Sequence, residues 1–304
     1  MKLVTFSPHA SSPRLGVANK DERIVDLARA AQEMSLSPPC DLVDMVELIA
    51  TSDAGLAFAK RAATHAGHYA LDEIALHAPV MRPRKNIFCV GWNYLEHFEE
   101  GAASRKPDFE LPSLPTFFTK APTTANGPFD DVPYHTGVTQ KLDWEVELAI
   151  IIGRQGTNIP ANAAMEHIYG YTVANDVTGR EVQRQHGQQW FKGKSLDGSC
   201  PMGPWLVTPD EIDNPHNLAL ECKVNGVVKQ QSSTRHMYFK IPQIIEQLSG
   251  GLTLQPGDII LTGTPPGVGH ARKPPEFMQS GDIMETHVAG IGTLRNRIAT
   301  ADRR

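Results

Sequence analysis

Between Leu142 and Gly153 the chain reads Leu-Asp-Trp-Glu-Val-Glu-Leu-Ala-Ile-Ile-Ile-Gly, acids at alternate positions giving way to an apolar run. Side chains two residues apart on a strand share a face, so Glu145 and Glu147 converge where the strand enters a core. Carboxylates held that close repel unless they share a proton or bind a cation, and a hard divalent ion meets that need. Asp176 follows a second apolar strand, Tyr169 to Ala174, and offers a third hard oxygen. Three carboxylates completed by water suit Mg²⁺, Mn²⁺ or Ca²⁺, and suit zinc poorly without His or Cys beside them. Asp143 shares the face but lies at its solvent end. Solvated charges on an edge strand are the competing reading of the same residues.

Other groups carry chemistry less specifically. His97 and Glu100 stand at i and i+3, a spacing at which a carboxylate on a helical turn fixes an imidazole as a general base; the plain alternative is a surface helix. Lys194, inside Gly-Lys-Ser, has the charge to stabilise an oxyanion but is one lysine among many. The stretch Gly263 to Gly269 fails the tests for a phosphate loop, lacking Gly-Lys-Ser/Thr and a following helix. Its prolines suit a rigid loop with exposed N–H groups, either a substrate loop or a structural turn. His65 and His68 sit near a helix C-terminus with no other ligand nearby in sequence, and read as solvated and favoured by the dipole.

These groups need a β-rich scaffold to bring them together. Short strands are expected at Leu3–Phe6, Arg14–Ala18, Arg23–Leu27, Asn86–Gly91, Pro115–Lys120, Trp144–Ile152 and Tyr169–Ala174, and through the last third, where Asn225-Gly226 marks a type I′ hairpin. Helical periodicity is seen from Leu42 to Ile49, Leu56 to Ala63 and Ile241 to Leu248. A polar stretch through Asp108 follows the His97 turn. Prolines and basic residues between Ile74 and Arg84 mark a boundary, giving a small N-terminal α+β domain (1–80) and a larger catalytic one (81–304).

At 304 residues, 40% hydrophobic and 21% charged, the composition is that of a soluble globular chain. A formal net charge of −5 and the lack of a basic run argue against nucleic acid. No apolar run approaches the ~20 residues of a membrane span, and the N-terminus lacks a signal-peptide h-region. Four scattered cysteines read as buried small side chains in a reducing cytoplasm.

Six ordered segments together resemble the fumarylacetoacetate hydrolase family over roughly Arg84 to Ile298. They are Gly91-Trp92-Asn93-Tyr94 with His97, Phe117 to Lys120, Asp143 to Leu148, Asn175 to Arg180, Gly193 to Asp197, and Leu261 to Gly269. The resemblance implies an α+β, β-rich mixed β-sandwich roll, a homodimer, and a divalent cation (Mg²⁺ or Mn²⁺, with Ca²⁺ as an alternative) on Glu145, Glu147 and Asp176. Where the mammalian namesake has a fourth carboxylate this chain has Cys89-Val90-Gly91, which implies the three-carboxylate branch acting on small 2-oxo acids.

The resemblance also implies catalytic roles for His97, Glu100 and Lys194, an oxyanion group completed by Arg180 and Gln183, and substrate contacts at Lys120 and Thr264. The expected reaction is hydrolytic C–C cleavage of a 2,4-dioxo acid of the fumarylpyruvate or acylpyruvate type through a metal-stabilised enolate, with Glu100 and His97 activating water. Alternatives are a tautomerase, isomerase or decarboxylase of a 2-oxo diacid, a sugar-acid dehydratase, or an inactive metal-stabilised scaffold.

Overall fold

The computed structural model describes residues 1–8, 11–101, 110–187 and 189–301. The polar stretch expected through Asp108 falls mainly at 102–109, outside the described residues.

The apolar run expected to enter a core does so: Val146–Ile152 is a wholly buried strand. It pairs antiparallel with Ile168–Asn175 on one side and Ile259–Leu261 on the other. Burial on both faces explains why no polar alternation interrupts it. Val146, Leu148, Ile150 and Ile152 face one core, while Ala149 and Ile151 face another.

The large sheet has eleven strands. Its main path runs Ile24–Asp26, Arg14–Ala18, Lys2–Pro8, Cys200–Val207, Ile168–Asn175, Val146–Ile152, Ile259–Leu261, Ile87–Gly91, Thr116–Lys120. A five-stranded sheet, in the order Val227–Ser233, Ala219–Val224, Ile283–Val288, Gly292–Thr300, Val132–Tyr134, closes over its first core with Leu220, Cys222, Met284, Leu294 and Ile298. The Ile260↔Phe88 and Ile298↔Val132 pairings are parallel amid antiparallel neighbours. This is the α+β, mixed β-sandwich architecture that the resemblance implied. The Asn225-Gly226 turn has φ of +52° and +76°, the left-handed pair a type I′ hairpin requires.

The other core is covered by helices Leu27–Glu33, Met45–Ala50 and Asp53–Ala62. The first was absent from the sequence reading, which extended a strand to Leu27. The Asp26 carboxylate accepts from Ala28 N and Arg29 N, ending the strand and capping a helix at one point. Asp44 likewise caps the second helix, which starts at Met45 rather than Leu42. The central strand starts at Val146 rather than Trp144, because Glu145 N and Val146 N donate to the side-chain carbonyls of Asn175 and Gln230 instead of a ladder. Residues 1–80 differ from the rest in sequence, yet Lys2↔Val207 and Leu3↔Leu206 carry the sheet across that boundary. Among the described residues no helix is long and apolar enough to cross a membrane.

Candidate active site

Two neighbouring strands of the large sheet present the acids at one edge. Glu147 belongs to Val146–Ile152, Glu145 immediately precedes it, and Asp176 immediately follows Ile168–Asn175. Asp176 N donates to Glu145 O at 2.9 Å, fixing the two strand ends together. Glu145, Glu147 and Asp176 are buried, and one oxygen from each lies within 4.8 Å of the others.

Buried cations interleave with these acids. Lys194 Nζ lies 2.8 Å from Glu145 Oε2 and 2.6 Å from Asp176 Oδ2, and Arg180 donates to Glu145 Oε1 and Asp143 Oδ2 at 2.7 Å each. Burial pushes Glu145 up, but Lys194 and Arg180 outweigh it and hold the carboxyl at about 2. Among the described residues, no cation pairs directly with Glu147. Burial first, then Asp176 and Glu145, drive its proton affinity well above the usual carboxylate range. With Asp143 counted, four carboxyls face Lys194, Arg180 and Lys120, and the hard oxygens of the cluster fit a divalent ion.

The Gly263–Gly269 loop, expected to expose its N–H groups, instead turns three of them inward to grip the protein's own acids. Gly263 N donates to Glu147 Oε2 at 2.5 Å, Gly267 N to Glu100 Oε2 at 2.8 Å and Gly269 N to Asp143 Oδ1 at 2.6 Å. Gly263 and Gly267 have φ near +100°, a conformation that favours glycine. Asp143, expected near solvent, is fully buried, and its proton affinity is held down because Arg180 and His270 outweigh the effect of burial.

A cleft of about 750 Å³ opens over Glu145, Glu147 and Lys194 and is also lined by His97, Arg180, Gln183 and Thr264. His97 Nδ1 lies 2.7 Å from Glu100 Oε1, and with Gly267 holding the other oxygen the carboxylate is fixed beneath the imidazole. Gln183 Oε1 accepts weakly from Arg180 Nη1 at 3.4 Å. Trp92, Trp190 and Phe118 wall the cleft, with Trp190 edge-on to Trp92 at 4.7 Å and to Phe118 at 5.1 Å between centroids.

Two side chains expected to contact substrate, Lys120 and Thr264, make their hydrogen bonds within the protein. Lys120 does not line the cleft: it is fully buried, and its ammonium donates to Asp176 Oδ1 at 2.8 Å and Val177 O at 3.1 Å. It orients an acid from behind. Thr264 lines the cleft, but its hydroxyl donates to Val146 O at 3.0 Å and accepts from Gln230 at 2.8 Å, so it has no proton left to donate to a substrate. The cleft also holds His270, Trp190 and Arg184, which the sequence reading passed over.

His65 and His68 do have a third partner. Glu33 Oε2 lies 3.0 Å from His65 Nε2 and 3.2 Å from His68 Nε2, and the His68 side chain is 1% exposed rather than solvated. Both Nδ1 atoms accept backbone N–H bonds, from Gly67 and Asp26. Each neutral ring therefore carries its proton on Nε2 and donates to Glu33, a tautomer that closes those nitrogens to a metal.

Known proteins share this chain's sequence pattern and fold. Residues 86–299 match the family described as fumarylacetoacetate (FAA) hydrolase C-terminal. The chain is 43% identical over 296 residues to the oxaloacetate tautomerase YisK of Bacillus subtilis strain 168, covering 93% of this chain and 95% of that protein. A solved fumarylacetoacetate hydrolase from the psychrophile Exiguobacterium antarcticum superposes with a TM-score of 0.81 at 36% identity, over 99% of this chain and 100% of that one. The maleylpyruvate hydrolase of Sphingobium sp. SYK-6, solved with manganese(II) and pyruvate, superposes with a TM-score of 0.77 at 27% identity, over 99% and 100%.

Proposed function

This chain belongs to the fumarylacetoacetate hydrolase family of enzymes, and from that premise we propose that it is a cation-dependent tautomerase of a small 2-oxo diacid of the oxaloacetate kind. The observation that carries the reading over C–C hydrolysis is the 43% identity, across 93% of the chain, to a protein named for that activity. The hydrolytic expectation becomes the second reading, favoured by the likeness to the maleylpyruvate hydrolase.

Glu145, Glu147 and Asp176 are the residues that would hold the cation, Mg²⁺ or Mn²⁺. The fit rests on their buried oxygens and on the crowding of like charges at Glu147. When bound, such an ion supplies Lewis-acid positive charge for the oxygens of a 2-oxo acid. The rest falls to the protein. Lys194 and Arg180 add positive charge at the same end, and the aromatic wall limits water. His97, held at Nδ1 by Glu100, has Nε2 as its other nitrogen to exchange a proton at C3. In the keto-to-enol direction the C3–H bond breaks, its electron pair forms C2=C3, and the 2-oxo oxygen gains a proton. No co-reactant is consumed.

The test follows the ultraviolet decay of enol oxaloacetate with Mg²⁺ or Mn²⁺, with and without EDTA, using malate dehydrogenase to verify that the product is still oxaloacetate. Ketonisation above the buffer rate, abolished by EDTA, is expected. A buffer-level rate alongside metal-dependent cleavage of an acylpyruvate would overturn the reading in favour of hydrolysis.

A further inference from the structure

The cations around the cleft are not equivalent. Arg180 is committed to Asp143 and Glu145, and Lys194 to Glu145 and Asp176. His97 is paired with Glu100, and His270 lies 3.3 Å from Asp143. Arg184 also lines the cleft and is exposed, and among the described residues no carboxylate pairs with it. It is a positive charge lining the substrate space, with no side-chain hydrogen bond among the described residues.

Its position relative to the acids follows from the helix Arg180–Gln185. Residues four apart lie on one helical face, one above the other, separated by roughly 6 Å of rise. Arg180, nearly buried, reaches the acid cluster, and Arg184 stands one turn further along, towards solvent. The helix is anchored against the lysine turn: a Cβ at Gly193 would lie 2.3 Å from Gln183 N. The offset between Arg184 and Lys194 is thereby held by backbone contact. A molecule whose 2-oxo acid end meets the acid cluster and whose tail points outward brings that tail to Arg184.

We propose that Arg184 binds the second carboxylate of the substrate and makes the site selective for diacids, an inference that rests on the 2-oxo acid reading above. A guanidinium offers two parallel N–H donors in a fork matched to a carboxylate, which an ester cannot accept in the same way. The contact is a binding one, made with ground state and transition state alike, so its loss acts on KM more than on kcat.

The experiment compares oxaloacetate with its 4-methyl ester on the Mg²⁺-loaded protein, by the ultraviolet tautomer assay and independently by ligand-induced thermal shift. For Arg184→Gln, the diacid-to-ester ratio of kcat/KM is expected to fall about tenfold, mainly through KM for the diacid, with Arg184→Lys retaining part of the preference. The thermal-shift preference for the diacid should fall in the same order. An unchanged ratio in Arg184→Gln, by either readout, overturns the assignment. If the wild type ketonises neither compound, the tautomerase reading fails, and the thermal-shift ratio still decides Arg184.

Discussion

Among the site residues, Glu147 is the one whose environment asks for something the protein does not supply. Glu145 and Asp176 each bond an ammonium, whereas among the described residues Glu147 bonds one backbone N–H, faces two like charges and feels Lys194 only without a hydrogen bond. Replacing it with the isosteric glutamine removes that repulsion and keeps the acceptor for Gly263. Glu147→Gln is therefore expected to melt a few degrees higher than wild type in EDTA, a gain on the order of 1 kcal/mol. With Mn²⁺ at roughly a hundredfold over Kd the wild type should gain about 2.7 kcal/mol and the variant close to nothing. Thermal melts of both proteins with and without Mn²⁺ check this. Equal Mn²⁺ stabilisation of the two would remove Glu147 from the cation's ligands.

At the scale of elements, one loop and one side-chain clip join distant parts of the chain. The glycine-rich loop grips Glu147, Glu100 and Asp143, coupling the acid cluster to the His97 turn. In the N-terminal region, Glu33 joins the helix Leu27–Glu33 to His65 and His68 beyond the end of Asp53–Ala62. The Arg29 hydrogen bond first, and then His68, lowers the Glu33 carboxyl from 4.5 to about 2. A carboxyl depressed on folding stabilises above its unfolded pKa and loses that contribution as pH falls to the folded one. The urea-midpoint difference between wild type and Glu33→Gln should therefore be greatest above pH 4.5 and shrink as pH falls towards about 2. Midpoints measured in pH steps test it; a difference independent of pH would assign the clip to packing instead.

How much of this could be read from sequence depended on whether a residue's role is local. The alternation Glu145, Glu147 ahead of an apolar run is a local signal, and so is Asp176 after the next strand. Glu33 was invisible beside His65 and His68 because its contact to His68 spans 35 residues and depends on helix packing. The role of Lys120 came from the family resemblance alone, and its burial against Asp176 cannot be seen from a lysine at a strand end. Arg184 sits in a polar segment where a charge ordinarily signifies nothing more than a solvated face. Its distinction is that the other cations of the cleft have carboxylate partners while, among the described residues, it has none, which only the packed structure reveals.

For the whole molecule, the sheet crosses the boundary that composition suggests. Removing residues 1–80 would strip the Lys2–Pro8 partner from the Cys200–Val207 strand and uncover Cys89, Ala149, Ile151, Met202 and Leu206. Those last residues lie on the face of the sheet opposite the five-stranded layer. Residues 81–304 alone are expected to aggregate or to lack a cooperative melt, an exposed apolar face and edge being the cause. Light scattering and a thermal scan of that fragment check the prediction; a monomer with a sharp transition would show an independent domain.

The close approach at Gly193 has a consequence for how such a cleft can diverge. Because the Phe191–Lys194 turn rests on the backbone of Gln183, the segments carrying Lys194 and Arg184 are packed with no room for a side chain between them. Neither can drift to suit a longer or shorter substrate without dragging the other. New specificities in descendants of this chain must then arise by exchanging the side chain at the cleft mouth rather than by sliding the backbone, so a single codon is the shortest route from one substrate tail to the next.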